Sequence, residues 1–154
     1  MPSIERSIFI PVDLKTVYEL AKDLPAFVDY LPAVRSITVV ERGNNYLVTD
    51  WDLDVAGRSY RWRERDEFHD YARAIRYRLV VGDLSRYEGE WRFDQAGDGV
   101  QVRLFVDFEV GVPMLGALLD PMFARGVEEN TEQLLRALRE RAERRKGEDQ
   151  QGKQ

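Results

Sequence analysis

Between Val34 and Val110 apolar and polar side chains alternate in successive runs: Val34–Arg42, Tyr46–Val55, Ser59–Glu67, Ala72–Val81, Ser85–Phe93 and Val100–Val110. The breaks between them read GNN, AG, FHDY, GDL and DQAGDG, rich in the glycine, aspartate and asparagine of hairpin turns. Period-two alternation bounded by such turns predicts a six-stranded antiparallel meander. Ahead of it, the β-branched run from Ile4 to Ile10 stops at Pro11 and predicts a seventh strand. Asp13 is placed to cap a helix from Leu14 to Asp23, with Leu14, Val17, Tyr18 and Ala21 as its apolar stripe. DLPAFVDYLP predicts a second short helix, with Pro25 early in it and Pro32 ending it. A long helix follows from near Pro113, with Leu115, Leu119, Met122, Gly126, Asn130, Leu134 and Ala137 or Leu138 on one stripe. Pro121 either kinks that helix or starts its main segment. The fold class is α+β: a curved seven-stranded antiparallel sheet around a long C-terminal helix, with two short helices between strands 1 and 2.

Turn lengths then set the pairing. A two-residue turn at Ala56-Gly57 puts Leu53 opposite Tyr60, Trp51 opposite Trp62 and Thr49 opposite Glu64. The other face then pairs Asp52 with Arg61 and Asp50 with Arg63, and a slip of one residue would spoil both faces. A four-residue loop at Phe68–Tyr71 sets Trp62 opposite Tyr77, and a three-residue loop at Gly82–Leu84 sets Tyr77 opposite Gly89. A last turn centred on Ala96-Gly97 sets Trp91 against Val102 and Gly89 against Leu104. The inward face therefore comprises Leu47, Trp51, Leu53, Tyr60, Trp62, Ile75, Tyr77, Leu79, Tyr87, Trp91, Phe93, Val102, Leu104, Val106 and Phe108. In RYEGEWRF, Gly89 leaves a gap in a row of rings, which reads as a bend over which an aromatic leans or a place where a ligand nears the backbone.

Composition narrows the classes. The 154 residues suit a single domain that buries about two thirds of the surface exposed by the unfolded chain. Residues 1–144 are expected to form it, with 145–154 a disordered tail, because RRKGEDQQGKQ from Arg144 lacks apolar periodicity. Cysteine is absent, which removes disulfides, thiolate metal sites and cysteine nucleophiles. The early charges and short apolar run of MPSIERSIFIPVD fit neither a signal peptide nor a membrane span, so a cytoplasmic location without stable membrane insertion is expected. A net charge of −5 is not the usual footprint of a nucleic-acid binder. The arginines of RSYRWRERDEF, with Arg76 and Arg78, interleave with Asp50, Asp52, Glu88 and Glu90, and read as the wet face of the sheet.

SIFIPVDLKTVYELAKDLPAFVDYLPAV, GDLSRYEGEWRF and VGVPMLGALLDPMFARGVEENTEQLLRAL, in this order of elements, resemble the START-like, helix-grip (SRPBCC) superfamily. Within it the chain is most similar to the polyketide cyclase/dehydrase and lipid-transport group, which includes coenzyme Q-binding-type proteins. The likeness runs from about Ile4 to about Glu143. It implies a helix-grip fold whose cavity, between sheet and last helix, binds or transports a lipid, quinone or polycyclic, polyketide-like molecule, with no cofactor and no metal. It transfers no catalytic motif. The first alternative is a polyketide aromatase/cyclase; the second is a module that binds a ribosome or protein partner. The protein is expected as a monomer or weak homodimer.

Candidate ligand-binding residues are Thr49, Trp51, Tyr60, Trp62, Glu64, Tyr77, Tyr87, Gly89, Trp91, Leu104, Val106, Met122, Gly126 and Asn130. A flat apolar ligand would stack on Trp51, Trp62, Tyr77 or Trp91. Glu64, read as the one carboxylate on the inward face, is either a general base or ligand hydrogen-bonder raised by burial, or a wetted carboxylate paired with an arginine such as Arg6. Asn130 on a buried stripe orients a ligand or bonds Tyr87 or Tyr77. His69, the only histidine, sits in a predicted loop without the partners of a catalytic triad. Access to the cavity is expected between the early helices, the Gly82–Leu84 loop and the front of the last helix, where Pro113, Gly116 and Pro121 permit movement.

Overall fold

The computed structural model describes residues 3–55, 57–109 and 116–152, with side chains of the last helix given for 121–150. Its strands are β1 (Ser3–Ile10), β2 (Val34–Arg42), β3 (Tyr46–Val55), β4 (Arg58–His69), β5 (Ala74–Gly82), β6 (Arg86–Ala96) and β7 (Gly99–Glu109). They form one antiparallel sheet in the order β1-β7-β6-β5-β4-β3-β2. Helix α1 (Leu14–Lys22) and a 3-10 helix (Leu24–Tyr30) lie between β1 and β2, and α2 (Gly116–Gly152) ends the chain. This is the helix-grip fold.

α1 starts where expected because the Asp13 carboxylate accepts the Thr16 backbone N–H at 3.0 Å. Val17, Tyr18 and Ala21 are its buried side. Replacing Asp13 by alanine leaves that N–H without its cap, and should cost about 1 kcal/mol. Thermal denaturation checks this: Tm should fall by about 2–4 °C for Asp13→Ala and hardly at all for Asp13→Asn.

The β3–β4 register is the one the alternation requires, with Thr49 against Glu64, Trp51 against Trp62 and Leu53 against Tyr60. On the outer face Arg63 bonds Asp50 at 2.7 Å and Arg61 reaches Asp52 at 3.3 Å. Tyr77 faces Gly89, also as expected.

Two other registers differ. β4 does not stop at Glu67: Phe68 continues the buried row of Trp62, Glu64 and Asp66, so the strand runs to His69 and turns through Asp70–Arg73, with Arg73 left-handed at φ 53°. Tyr77 therefore pairs with Asp66, and after an irregularity between Arg63 and Glu64, Trp62 pairs with Gly82. The last hairpin turns at Gly97-Asp98, with Gly97 at φ 57°. That two-residue shift pairs Trp91 with Leu104 and Gly89 with Val106. A shift of two keeps every side chain on its face, so the inward set survives, apart from Leu79, which is only half-buried.

α2 covers the concave face with a stripe one position round from the expected one at its front. Phe123, Val127, Asn130, Leu134 and Leu138 are buried; Gly126 is half-buried, and Met122, expected inside, is 56% exposed. The phase is set by Phe123, whose ring packs on Tyr60 at 5.0 Å and Phe108 at 5.3 Å between centroids. Pro113, Leu115 and the side chain of Leu119 lie outside the described residues. The helix runs through Pro121 and on past Arg144 to Gly152, where a frayed tail was expected. Its end is held to the body: Arg144 donates to the Tyr30 hydroxyl at 3.2 Å and Lys146 to the Pro11 carbonyl at 3.0 Å.

Candidate functional site

Inward alternation on three adjacent strands places polar atoms among rings. From β3 come Thr49 and Trp51, from β4 Trp62, Glu64 and Asp66, and from β5 Tyr77; Tyr87 and Trp91 follow on β6. Trp51 and Trp62 face each other across β3 and β4 with rings near parallel, 6.1 Å apart. Tyr87 continues the row, 4.8 Å from Trp62 and 5.6 Å from Tyr77.

Glu64 is 4% exposed and Asp66 1%, so the sequence reading of Glu64 as a lone inward carboxylate needs correction. Asp66 went unnoticed although period two puts it on the same face as Trp62 and Glu64. The two lie two residues apart on the same face of β4. Trp62 Nε1 donates to Glu64 Oε1 at 2.8 Å, the Thr49 hydroxyl donates to Asp66 Oδ2 at 2.7 Å, and Trp51 Nε1 donates to Thr49 Oγ1 at 2.9 Å. Among the described residues no arginine pairs with Glu64: Arg6 instead reaches Glu132 at 3.3 Å and Glu128 at 3.7 Å on α2.

Burial, then the nearby Asp66 charge and the bond to Asp66, push Glu64 well above the usual carboxylate range, opposed by the Trp62 N–H. Burial also raises Asp66, while bonds from Glu64 and Thr49 pull it back. Burial raises both Tyr77 and Tyr87, and the negative field of the carboxyl pair adds to it. These are the shifts of a dry, acidic interior.

The void at this place is lined by Leu24, Trp51, Trp62, Glu64, Tyr77, Tyr87, Trp91, Leu104, Val106 and Leu134, and holds about 20 Å³. Among the described residues, the open ligand-sized cavity that the family resemblance implies is therefore not present between sheet and helix. The interlocked rings leave space for about one water.

Several candidate residues lie elsewhere. Thr49 stands behind the void as partner of Asp66 and Trp51, and Tyr60 packs on Phe123. Gly89 is covered on its inner side: the Tyr77 ring leans across it and donates its hydroxyl to the Phe105 carbonyl at 2.8 Å. On the outer face the same glycine floors a groove of about 390 Å³ between charged side chains. Met122 points outward. Asn130 is 9% exposed, one helical turn from Leu134, and its Oδ1 bonds neither Tyr77 nor Tyr87 nor any other described residue. Leu24 and Leu134 line the void without having been singled out for it, since isolated leucines carry no chemical signal. His69 ends β4 rather than sitting in a loop.

A family model described as "Polyketide cyclase / dehydrase and lipid transport" matches residues 10–135. TTHA0849 from Thermus thermophilus is 35% identical, superposes with a TM-score of 0.86, and the match covers 92% of this chain and 97% of that one. The Zhui aromatase/cyclase from a Streptomyces species shares the fold with a TM-score of 0.85 at 24% identity, covering 94% of each chain. Among curated relatives, the ribosome association toxin RatA of Escherichia coli is 23% identical over 143 residues, 92% of this chain and 87% of its own length. The fold, the matched span and the identity to TTHA0849 agree: the chain belongs to the polyketide cyclase/dehydrase and lipid-transport family of START-like proteins.

Proposed function

We propose that the protein encloses a hydrophobic small molecule between the sheet and α2. The observation that carries this reading is the wall of Trp51, Trp62, Tyr77, Tyr87 and Trp91 around a void marked by one polar corner. Membership of the family supports it. Since the void holds about 20 Å³, binding requires the front of α2 to draw Phe123 away from Tyr60 and Phe108. Burying roughly 400 Å² of ligand at ~25 cal/mol per Å² supplies ~10 kcal/mol, against association costs of similar size. Affinities are then expected near micromolar, minus whatever the opening costs.

Native mass spectrometry of the purified protein, followed by organic extraction, tests this. The expected result is a co-purifying or added apolar mass, together with faster hydrogen exchange around Phe123 and Val127 during ligand exchange. A protein that takes up no apolar probe at the solubility limit, with that helix segment fully protected throughout, overturns the reading.

The aromatase/cyclase reading has one observation of its own, the Glu64–Asp66 pair beside Tyr87, which meets the need for convergent polar groups that could move protons on a bound ketone. Cyclisation or dehydration surviving both Glu64→Gln and Tyr87→Phe removes these actors. The likeness to RatA supports the interaction-module reading, and cosedimentation with ribosomes separates it from both.

A further inference from the structure

The polar corner of the void has a definite electrical character. Glu64 and Asp66 are both buried here on one face of β4, so any charge this corner carries is negative. The hydroxyl of Thr49 accepts from Trp51 and donates to Asp66. Among the described residues, no arginine, lysine or histidine lines the void. The second observation is independent of the acids. Tyr87 is 7% exposed and lines the same void, yet its hydroxyl bonds to none of the described residues, whereas that of Tyr77 is taken by the Phe105 carbonyl.

We propose that Glu64, Asp66 and Tyr87 form a recognition site for a neutral ring hydroxyl, phenolic or enolic, on a flat apolar ligand, and that the same site rejects carboxylates. The ligand oxygen accepts from Tyr87 and its O–H donates to the carboxyl pair. A hydroxyl can accept from Tyr87 and donate to the acidic corner with one atom. An anionic headgroup meets a like charge in a dry interior with no cation lining the void to offset it, where repulsion is far stronger than in water. Fatty acids are accordingly poor ligands, and hydroxylated ring compounds good ones. Thr49 acts as a positioning residue by holding Asp66.

The inference rests on the enclosure of an apolar molecule argued above, and three ligands of one size separate the two: 2-naphthol, naphthalene and 2-naphthoate, titrated calorimetrically at pH 7. 2-Naphthol is expected to bind about tenfold more tightly than naphthalene, as one hydrogen bond to a charged partner allows, and 2-naphthoate at least tenfold more weakly than naphthalene. Tyr87→Phe should shrink the ratio of naphthol to naphthalene affinity, and Asp66→Asn should shrink the ratio of naphthalene to naphthoate affinity, each measured within the variant. Equal affinity for naphthol and naphthalene overturns the proposal and leaves enclosure standing, as does naphthoate binding as well as naphthol. If none of the three binds, enclosure falls with it. Because the readout is a ratio among ligands within one variant, a general loss of stability does not imitate it.

Discussion

Gly89→Ala should destabilise the protein by about 3 kcal/mol, lowering Tm by roughly 10 °C, while Gly147→Ala in α2 should stabilise it slightly. At Gly89 an added Cβ collides with the Phe105 backbone carbonyl and lies 2.5 Å from the Tyr77 hydroxyl and 2.8 Å from Cζ. The carbonyl belongs to a strand paired on both sides, so it yields only by splaying β6 from β7. Pushing Tyr77 aside also breaks its 2.8 Å bond to that carbonyl, a further cost of about 1 kcal/mol. At Gly147 nothing lies within 4 Å of the added atom, and alanine gains the usual helix preference of about 0.5–1 kcal/mol. Circular-dichroism melts of both variants check the pair, and two equal shifts would contradict the packing described here.

Thr49→Val should cost about 2–5 kcal/mol, because it keeps the shape but leaves the Trp51 N–H and the Asp66 carboxylate each short of a buried partner. Thr49→Ser should restore most of it. The loss should also depend on pH. Glu64 and Asp66 both have raised folded-state values, so the stability they contribute is fully present below the ordinary 4.5 and 3.8 and declines as pH rises through the raised values. Facing them are Thr49 and Trp51 from β3, Tyr77 from β5, Tyr87 from β6 and Leu134 from α2, none of which supplies a positive charge. Asp13, Asp50, Asp52, Asp54 and Asp70 have the opposite shift, held low by hydrogen bonds, and lose their contribution only as pH falls below about 4. The native protein should therefore melt higher at pH 5.5 than at pH 8.5. Thr49→Val removes a bond that held Asp66 down, so its Tm deficit should be larger at pH 8.5. An equal deficit at both values would show that the threonine acts by packing alone.

The sheet was legible because its two faces differ so sharply. Asp50 and Asp52 against Arg63 and Arg61, with Thr49, Trp51 and Leu53 behind them, permit one register. Where a loop contains apolar residues the same logic lost its grip. Phe68 reads equally as a loop tip or a strand end, and the choice moved Trp62 from Tyr77 to Gly82. In α2, Met122 and Phe123 are adjacent and both apolar, and only the fit of the larger ring between Tyr60 and Phe108 fixes the phase. The site was half visible. Glu64 announced itself by its inward position, but Asp66 sits next to Arg65 and Glu67 in a charged run that looks solvated throughout. The missing free volume could not be read at all, since the angles at which rings interlock are three-dimensional facts. Gly89 answered its own question: it is a place where two backbones and a tyrosine meet, and it is shut on the inner face.

Two of the three indoles that line the void each donate to a polar group two residues away on their own strand, Trp51 to Thr49 and Trp62 to Glu64. Protonation of the carboxyl pair or arrival of a guest changes the electric field along both ring systems at once. The molecule thus carries a built-in optical gauge, and intrinsic emission should shift in wavelength with either event, with no label attached. Trp91, whose ring stacks on Phe93 further along the wall, would follow the guest but not the proton, so the three chromophores together distinguish the two.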